Sequence, residues 1–434
     1  MKGFFPKPNW GIIRTGYYTN GRISHFYQRF LSKTSCLAYN TSLLYQVMKK
    51  YKTIVYVNFA PYENAGKILD YLTSRFDTVL AFSFKFHSVT RHRYSDLLTV
   101  YTNGRKIKEY PLIHAPVLST LTFFLLPLRS LLICIQIIYY LLRLRSIYAP
   151  YHIYFTVNAF TAYIGNVLRS YGVVQKAIFW VWDYYPPNHK NHIVRMMRWI
   201  YWQFDKHAGL MADKTVFLND RLVTLRKDIH ILPQDKSYPI VPIGTDPVNY
   251  ILPKFRLPLK LVFFGVVKKS HGLDLVFDHD KELCRLFGET ELHVIGGGPD
   301  FTHYRKRAIH SPLKTHFYGY VKKENTIRNI ISKCHIGLAP YVPEESNVSY
   351  YSDPSKIKAY LSLGVPVITT NVFTFSKKIS KSKSGVVINF YHPIEYISAV
   401  QTIVNNFSRY QKNAFSLSKQ YLYTRIYPEL FSDV

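Results

Sequence analysis

The sequence is poor in acidic residues. Its 434 residues include 26 Asp and Glu against 56 Lys and Arg, which gives a formal net charge of +30. A chain with this excess is attracted to anions, so nucleic acid, an anionic membrane surface and phosphorylated ligands are the candidate partners. Because the basic residues are scattered along the chain, a solvated basic surface is the alternative interpretation for many of them.

Cysteine is scarce as well. The four cysteines are far apart and form no Cys-x-x-Cys pair: Cys36, Cys134, Cys284 and Cys334. This spacing predicts neither a zinc site nor a disulfide framework, and it fits a reducing cytosol. The N-terminus has no long apolar core of a secretory signal peptide, so we expect a cytoplasmic protein.

The sequence has no uninterrupted apolar run long enough to cross a membrane. The most apolar segment, residues 110–145, is broken by Pro116, Pro127 and Arg129. Each remaining piece is shorter than the roughly 20 residues that a span needs. Residues 131–142 are apolar almost all round, so we expect them to be buried.

Two interpretations of this apolar segment stay open, and a true span is the least favoured. The segment either inserts into one membrane leaflet or packs inside the protein or an oligomer. Arg143 and Arg145 follow it directly. In the first case they would anchor the segment at an anionic, cytoplasmic membrane face, because basic residues near an apolar surface helix bind acidic lipids.

Strand and helix patterns alternate in both halves of the chain. Residues 51–84 have the pattern strand, helix, strand, and residues 153–187 repeat it, which predicts βαβ units and a parallel sheet. Residues 232–260 are rich in proline and lack periodicity, so they predict a crossover between domains. We predict an N-terminal domain at 1–240, a C-terminal domain at 241–420, and a segment at 421–434 that returns to the first domain.

Glycine-rich turns follow the strands of the second half. Parallel sheets bind ligands at the carboxyl ends of their strands, and glycine turns and helix N-termini suit phosphates. The second half is therefore the predicted nucleotide half.

Six motifs occur in register there: "VPIGTDP", "FFGVVKKSHGLDL", "VIGGGPD", "FYGYV", "ISKCHIGLAPY" and "DPSKIKAYLSLGVPVITT". Their order and spacing resemble retaining family 4 glycosyltransferases of the GT-B fold. In the first half "VNAFTAYIG", "WDYYPP" and "DRLVTLRK" more weakly resemble a subgroup that acts on bacterial polysaccharides.

The resemblance implies an α/β protein of two Rossmann-like domains facing across a cleft, with the apolar helical insertion in the N-terminal domain. It implies sugar transfer from a nucleotide-sugar to a glycan or lipid-linked acceptor in cell-surface polysaccharide synthesis. We expect a peripheral enzyme on the inner face of the membrane, with no cofactor, no metal in the site and no nucleic-acid partner.

The leaving diphosphate needs positive charge or N–H groups. Gly265 lets the backbone approach the phosphates, and Lys268 and Lys269 lie in the same loop. Family members have an arginine and a lysine where this chain has Val266 and His271. The charge is therefore assigned to Lys268, Lys269 or Lys356, and an ordinary basic loop is the alternative.

A helix start completes the predicted donor site. Asp353 is placed to cap a helix, with Pro354 at its first position and Lys356 in its first turn, where N–H groups and the helix dipole favour an anion. A solvated lysine is the alternative for Lys356. The predicted donor-binding residues are Gly265, Lys268, Lys269, Gly297, Gly298, Tyr318, Val321, Tyr341, Asp353, Ser355 and Lys356.

Lys356 and Asp183 are the catalytic candidates, and Asp183 and Tyr184 the acceptor-binding candidates. The Asp183 carboxylate could bind or deprotonate a sugar hydroxyl, although a helix cap or a loop contact explains it equally well. The family's acid pair falls on Ala359 and Tyr351, so it is absent or displaced. No catalytic base is assigned.

Asp278-His279-Asp280 has the form of a metal-binding Asp-x-Asp motif, but it falls at the end of a helix pattern and is set aside. Two other functions stay open. A nucleotide-sugar epimerase would need no acceptor, and a basic nucleic-acid binder would need a recognisable module, which the sequence lacks.

Overall fold

Two β-sheets, one in each half of the chain, organise the computed structural model, which describes residues 53–60, 62–85, 96–114, 126–182, 184–186, 189–246, 254–344, 348–392 and 394–432. The strands of the first sheet are β1 Thr53–Ala60, β2 Thr78–Lys85, β3 Leu97–Thr102, β4 Arg105–Pro111, β5 Tyr151–Thr156, β6 Val174–Val181 and β7 Lys214–Phe217. Their spatial order is β4-β3-β2-β1-β5-β6-β7.

The second sheet is parallel throughout. Its strands are β8 Leu259–Phe264, β9 Thr290–Ile295, β10 Lys314–Gly319, β11 Ile336–Ala339, β12 Val367–Thr370 and β13 Gly385–Ile388, in the order β10-β9-β8-β11-β12-β13. The predicted α/β class, with strands joined by helical crossovers, is confirmed.

Helices connect the strands. In the first half they are α1 Ile68–Arg75, α2 Leu126–Arg143, α3 Arg145–Tyr148, α4 Ala159–Ser170, α5 His192–Met211 and α6 Asp220–Asp228. In the second half they are α7 Leu273–Asp278, α8 Asp280–Phe287, α9 Phe301–Ile309, α10 Glu324–Ile331, α11 Ser355–Ser362, α12 Ser376–Ser382, α13 Ile394–Asn405, α14 Phe407–Ser418 and α15 Tyr423–Ile426. Short 3₁₀ turns are Ala65–Lys67, Lys269–His271, Val348–Tyr351, Lys419–Tyr421 and Tyr427–Phe431.

An antiparallel hairpin at the edge of the first sheet was missed from the sequence. β3 and β4 are joined by Asn103 and Gly104, which have φ angles of 50° and 76°. Consecutive left-handed residues are typical of a tight hairpin turn, and Asn-Gly between two strand patterns is its usual sequence signal. Tyr110 lies in β4 of this hairpin. The apolar segment 110–145 therefore begins with the last residues of a strand.

The helix α2 is the described part of the apolar segment. One side of it, including Ile133, Ile137 and Leu141, is buried in a core cluster with β1 and β2. The opposite side exposes Leu131 and Ile135 by 55% and 52%. Among the helices that the structure describes, none is long and apolar enough to cross a membrane.

One further detail differs from the sequence predictions. The single helix expected between residues 273 and 287 is broken at His279, whose Nδ1 lies 2.9 Å from the carbonyl oxygen of Leu275. At the other end of the chain, Tyr427 and Phe431 pack on Tyr71 and Phe76 in the core of the first half. The domain boundaries at residues 240 and 420 stay predictions.

Candidate active site

Three turns meet at the carboxyl ends of β8, β9 and β10. Gly265 and Gly296 have φ angles of 131° and 132°, which side-chain-bearing residues rarely adopt. A Cβ atom on Gly296 would lie 1.9 Å from the carbonyl oxygen of Gly265. The Gly296 N–H donates to the carbonyl oxygen of Gly319 at 2.8 Å. Glycine is therefore required for the first two turns to pack directly against each other.

Lys356 lies directly under the Gly265 turn. It comes from the first turn of α11, and a Cβ atom on Gly265 would be 2.8 Å from its Nζ. The side chain is only 9% exposed, and among the described residues its ammonium has no hydrogen-bond partner. The rings of Phe263 and Tyr341 lie 4.6 and 4.7 Å from Nζ. The amine is held by aromatic faces with no compensating hydrogen bond.

The ammonium groups of Lys356 and Lys268 repel each other. Burial, and secondarily the charge of Lys268, lowers the pKa of Lys356 to about 7. Burial also lowers the pKa of Lys268. A buried, unpaired cation is costly, and an anion bound beside it would remove that cost. The site therefore has the electrostatics of an anion-binding pocket.

His271 cannot supply charge to this pocket at neutral pH. Burial, followed by the charges of Lys356 and Lys268, lowers its pKa to about 3. Its Nδ1 lies 2.6 Å from the carbonyl oxygen of Val266. The imidazole is thus neutral where family members have a lysine. Lys268 in this loop and Lys356 on α11 are left to supply positive charge to the pocket. Lys269 is exposed, and its backbone N–H donates to Asp300 at 2.8 Å.

The predicted helix cap is wrong. Pro354 is the N-cap residue of α11, and no side chain caps it. The Asp353 carboxylate instead accepts a hydrogen bond from Lys358 Nζ at 2.5 Å and one from the Ile243 N–H at 2.9 Å. Lys358 also donates to the Ile243 carbonyl oxygen at 2.8 Å. Asp353 therefore ties the start of α11 to the crossover segment, and Ser355 is exposed at the helix start.

The second glycine turn brings Gly297 and Gly298 to the same loop as Gly265. The Gly297 carbonyl oxygen accepts from the Val267 N–H at 2.9 Å, and a Cβ atom on Gly298 would lie 2.2 Å from the Val267 carbonyl oxygen. The Tyr341 ring lies 4.7 Å from Lys356 Nζ. These predicted positions are brought together.

Tyr318 and Val321 flank the third turn. The Tyr318 side chain stacks on His293 at 5.9 Å between ring centroids, and its hydroxyl lies 2.8 Å from His293 Nδ1. Val321 packs against the core of the second half. The backbone between them, at Gly319, reaches the Gly296 turn.

The two halves meet at an aromatic contact. Tyr184 lies against Tyr351 with 4.0 Å between ring centroids. Asn219 donates to the Tyr351 carbonyl oxygen at 2.9 Å, and the Arg221 guanidinium lies over the Tyr350 ring at 3.6 Å. Tyr351, where the family has an acid, therefore makes an aromatic contact between the halves. Asp183 lies outside the described residues.

An apolar cleft in the first half was missed from the sequence. It encloses about 890 Å³, open mouth included, and is lined by Phe59, Pro127, Arg129, Ser130, Ile133, Asn158, Phe160, Thr161, Tyr185, Met197, Arg198, Ile200 and Tyr201. Phe59, Asn158 and Tyr185 place it at the carboxyl ends of β1, β5 and β6. The start of α2 and the middle of α5 form its walls. The signal in the sequence was Arg129 near the start of a largely apolar helix.

The Asp278-His279-Asp280 motif lies elsewhere. Asp278 forms an ion pair with Arg307 at 2.7 Å, and the same guanidinium contacts Asp274 at 2.9 Å. The carboxylate is therefore already paired with a cation.

Comparison with known proteins agrees with this geometry. Residues 258–406 match the family described as Glycosyl transferases group 1. No curated protein matches the chain by sequence.

Solved structures share the fold at low sequence identity. Sucrose-phosphate synthase from Thermosynechococcus elongatus aligns with a TM-score of 0.60 at 12% identity, over 88% of this chain and 100% of that one. Anabaena HepE in complex with UDP-glucose aligns at 0.57 and 11%, over 88% and 98%. The lipopolysaccharide outer core galactosyltransferase WaaB aligns at 0.56 and 13%, over 88% and 98%.

These structures are GT-B glycosyltransferases, which confirms the predicted fold. Together with the family match, they confirm the resemblance recognised in the motifs. Residues 258–406 thus match the glycosyl transferases group 1 family, within a chain that has the GT-B fold.

Proposed function

We propose that the protein is a retaining glycosyltransferase that moves a sugar from a nucleotide-sugar to a glycan or lipid-linked acceptor in cell-surface polysaccharide synthesis. The observation that carries the proposal is Lys356, a buried amine without a hydrogen-bond partner among the described residues, under the Gly265 turn. In a site that is otherwise well packed, such a cation marks the place of an anion. The diphosphate of a nucleotide-sugar has the required charge.

The chemistry follows from that placement. The bond between the sugar carbon and the diphosphate oxygen breaks, and its electron pair stays on the phosphate. Lys356 and Lys268 stabilise the negative charge that develops there, and a preorganised cation does so most effectively where water is excluded. Because Ala359 and Tyr351 replace the family's acids, we assign the acceptor proton to an oxygen of the leaving phosphate, as in the family's mechanism.

The apolar cleft is the proposed acceptor site. Its lining is mostly apolar but includes Arg129 and Arg198. Arg129 donates to the Lys85 carbonyl oxygen, and Arg198 donates to that of Pro186 at 2.6 Å, so both guanidinium groups are fixed in place. An apolar wall with fixed cations suits a lipid carrier joined to its sugar through phosphate. This feature favours a lipid-linked acceptor.

Two exposed apolar surfaces border that cleft. On α2 they are Leu128, Leu131, Ile135, Tyr139 and Leu142, and on α5 they are Ile193, Met196 and Trp199. Large apolar patches next to basic residues are typical of proteins that lie on anionic membranes. We therefore propose peripheral attachment to the inner face of the membrane through this surface, close to a lipid-linked acceptor.

Screening nucleotide-sugars for protection against thermal unfolding tests the donor assignment. We expect one nucleoside diphosphate class to raise the Tm of the parent protein, and Lys356→Ala to abolish the shift. Lys377→Ala, at an exposed lysine on α12, is the matched control and should respond like the parent.

Transfer assays with the stabilising donor complete the test. A product that forms only when acceptor is present supports glycosyl transfer, whereas turnover of the donor alone would identify an epimerase. If no nucleotide-sugar stabilises the protein and Lys356→Ala retains transfer, the donor site is wrongly assigned. Binding that depends steeply on salt without donor preference would favour a nucleic-acid binder.

A further inference from the structure

Three side chains of metal-binding types meet on the second sheet. Glu291 and His293 are on β9, and His316 is on the edge strand β10. The strand register pairs His316 with His293. Since side chains two residues apart point to the same face of a strand, all three lie together on one face.

Their spacing suits a single ion. His293 Nε2 lies 3.2 Å from Glu291 Oε2, and His316 Nε2 lies 4.0 Å from that same oxygen. One ligand atom from each residue falls within 4.8 Å of the other two. Zinc bonds of about 2.0–2.2 Å place neighbouring ligand atoms roughly 3–4 Å apart. The imidazole rings are stacked, 4.8 Å apart, so the more exposed His316 ring must rotate to aim its nitrogen at the ion.

Two independent observations indicate a ligand at this cluster. His316 Nε2 is buried and has no hydrogen-bond partner among the described residues. Buried polar atoms nearly always have a hydrogen-bond partner, so a bound ligand would explain this nitrogen. The Tyr318 hydroxyl lies 2.8 Å from His293 Nδ1, an outer hydrogen bond of the kind that orients a metal-binding imidazole.

Two lysines form ion pairs with Glu291. Lys260 Nζ lies 3.3 Å from Oε2, and Lys314 Nζ lies 3.4 Å from Oε1. An ion bound to Oε2 would therefore have to displace Lys260, while Lys314 could keep its own oxygen. The lysines compete with the metal, and this competition makes the site testable.

We propose that Glu291, His293 and His316 bind a divalent transition-metal ion, for which Zn²⁺ is the probe of choice because imidazole and carboxylate are among its preferred ligands. The ion would clamp the edge strand β10 to β9. These strands end in the turns of Gly296 and Gly319, so the clamp lies at the base of the proposed donor site. The proposal does not depend on glycosyl transfer.

Calorimetric titration of the full-length, chelator-treated protein with Zn²⁺ tests the site. We expect one ion per chain with a micromolar or tighter Kd. His293→Ala and His316→Ala should each weaken binding at least tenfold, whereas His310→Ala, at an exposed histidine outside the cluster, should not. Lys260→Met should tighten binding at least threefold, because the ion no longer competes with an ammonium group.

Adventitious zinc binding would give a different result. The chain has 17 histidines, so adventitious binding would persist unchanged in both alanine variants. That result, the absence of binding, or an unaltered Kd in Lys260→Met would each reject the site. Circular dichroism without zinc checks the fold, and Glu291→Gln, which keeps the side-chain shape, decides the case if His293→Ala does not fold.

Discussion

Lys358 donates a hydrogen bond to Asp353 at 2.5 Å, and both side chains are almost fully buried. Lys356, two residues earlier on the same helix, is also buried but has no hydrogen-bond partner among the described residues. Two lysines of one short motif therefore differ: Lys358 is paired at the joint between crossover and helix, whereas Lys356 is the cation that we propose binds the donor diphosphate.

Breaking the buried pair should destabilise the protein. Among the described residues, Lys358→Met leaves Asp353 with only the Ile243 N–H as donor. Removing one partner of a buried ion pair costs about 3–5 kcal/mol. Urea unfolding would measure the loss in the free energy of unfolding. Adding Asp353→Asn should restore part of it. A loss below about 1 kcal/mol would show that the pair contributes little.

Removing the unpaired charge should have the opposite effect. We expect Lys356→Met to raise the free energy of unfolding at pH 7, because the buried amine has no hydrogen-bond partner among the described residues. The same change should abolish donor binding, since it removes the proposed cation for the diphosphate. The pKa of Lys356 falls from 10.5 to about 7 on folding. The unfolded chain thus binds more protons between those values, and parent stability should rise with pH across that window.

The variant lacks this contribution, so the stability difference between Lys356→Met and parent should shrink between pH 7 and pH 9, by up to about 2 kcal/mol. Urea titrations of both proteins at the two pH values provide the measurement. A difference that stays constant with pH would mean that Lys356 is protonated throughout.

Donor binding should take up protons above pH 7. A bound diphosphate raises the pKa of Lys356 by direct attraction, so at pH 8 the amine is protonated as the ligand binds. Calorimetry in two buffers of different ionisation enthalpy should yield an uptake approaching about one proton per site. Lys377→Ala should retain this uptake. Equal binding enthalpies in both buffers would place the anion elsewhere.

The packing of the glycine turns predicts a matched pair of variants. Gly296→Ala forces a Cβ atom to within 1.9 Å of the Gly265 carbonyl oxygen at a φ angle of 132°, and we expect a loss of at least about 2 kcal/mol in the free energy of unfolding. Gly297→Ala meets nothing within 4 Å and should fold like the parent. Similar thermal unfolding of both variants would contradict this.

The exposed apolar face of α2 predicts membrane binding. Leu131→Glu with Ile135→Glu places two charges on side chains that are 55% and 52% exposed, so the fold should survive. We expect the parent to co-sediment with vesicles rich in phosphatidylglycerol and the double variant to bind at least tenfold more weakly. Circular dichroism controls for folding. Unchanged sedimentation would exclude this face as the membrane contact.

Most of the fold could be predicted because its signals are local. Alternating apolar residues and glycine or proline breaks mark each strand, and strand-helix-strand units close into parallel sheets in one handedness. The hairpin around Asn103 and Gly104 had an equally local signal that was overlooked. The break at His279 had none, since the apolar pattern runs through it.

The site was predictable only where it depends on backbone. Gly265 was identifiable because a tight turn after a strand favours glycine, and Lys356 because the motif order placed it at a helix start. The cap assigned to Asp353 was wrong because Ile243, 110 positions away in the chain, competes for the carboxylate. Local pattern carries no information about such a distant donor.

The sequence by itself determined most of the strand and helix order, the glycine turns and the excess of positive charge, because these depend on residues close together in the chain. Only the tertiary structure decided which lysine is paired and which is not. It also aligned His293 with His316 across two strands and opened the cleft around Arg129. Burial and partnership are properties of the assembled fold, since water competes for every charge that packing does not enclose.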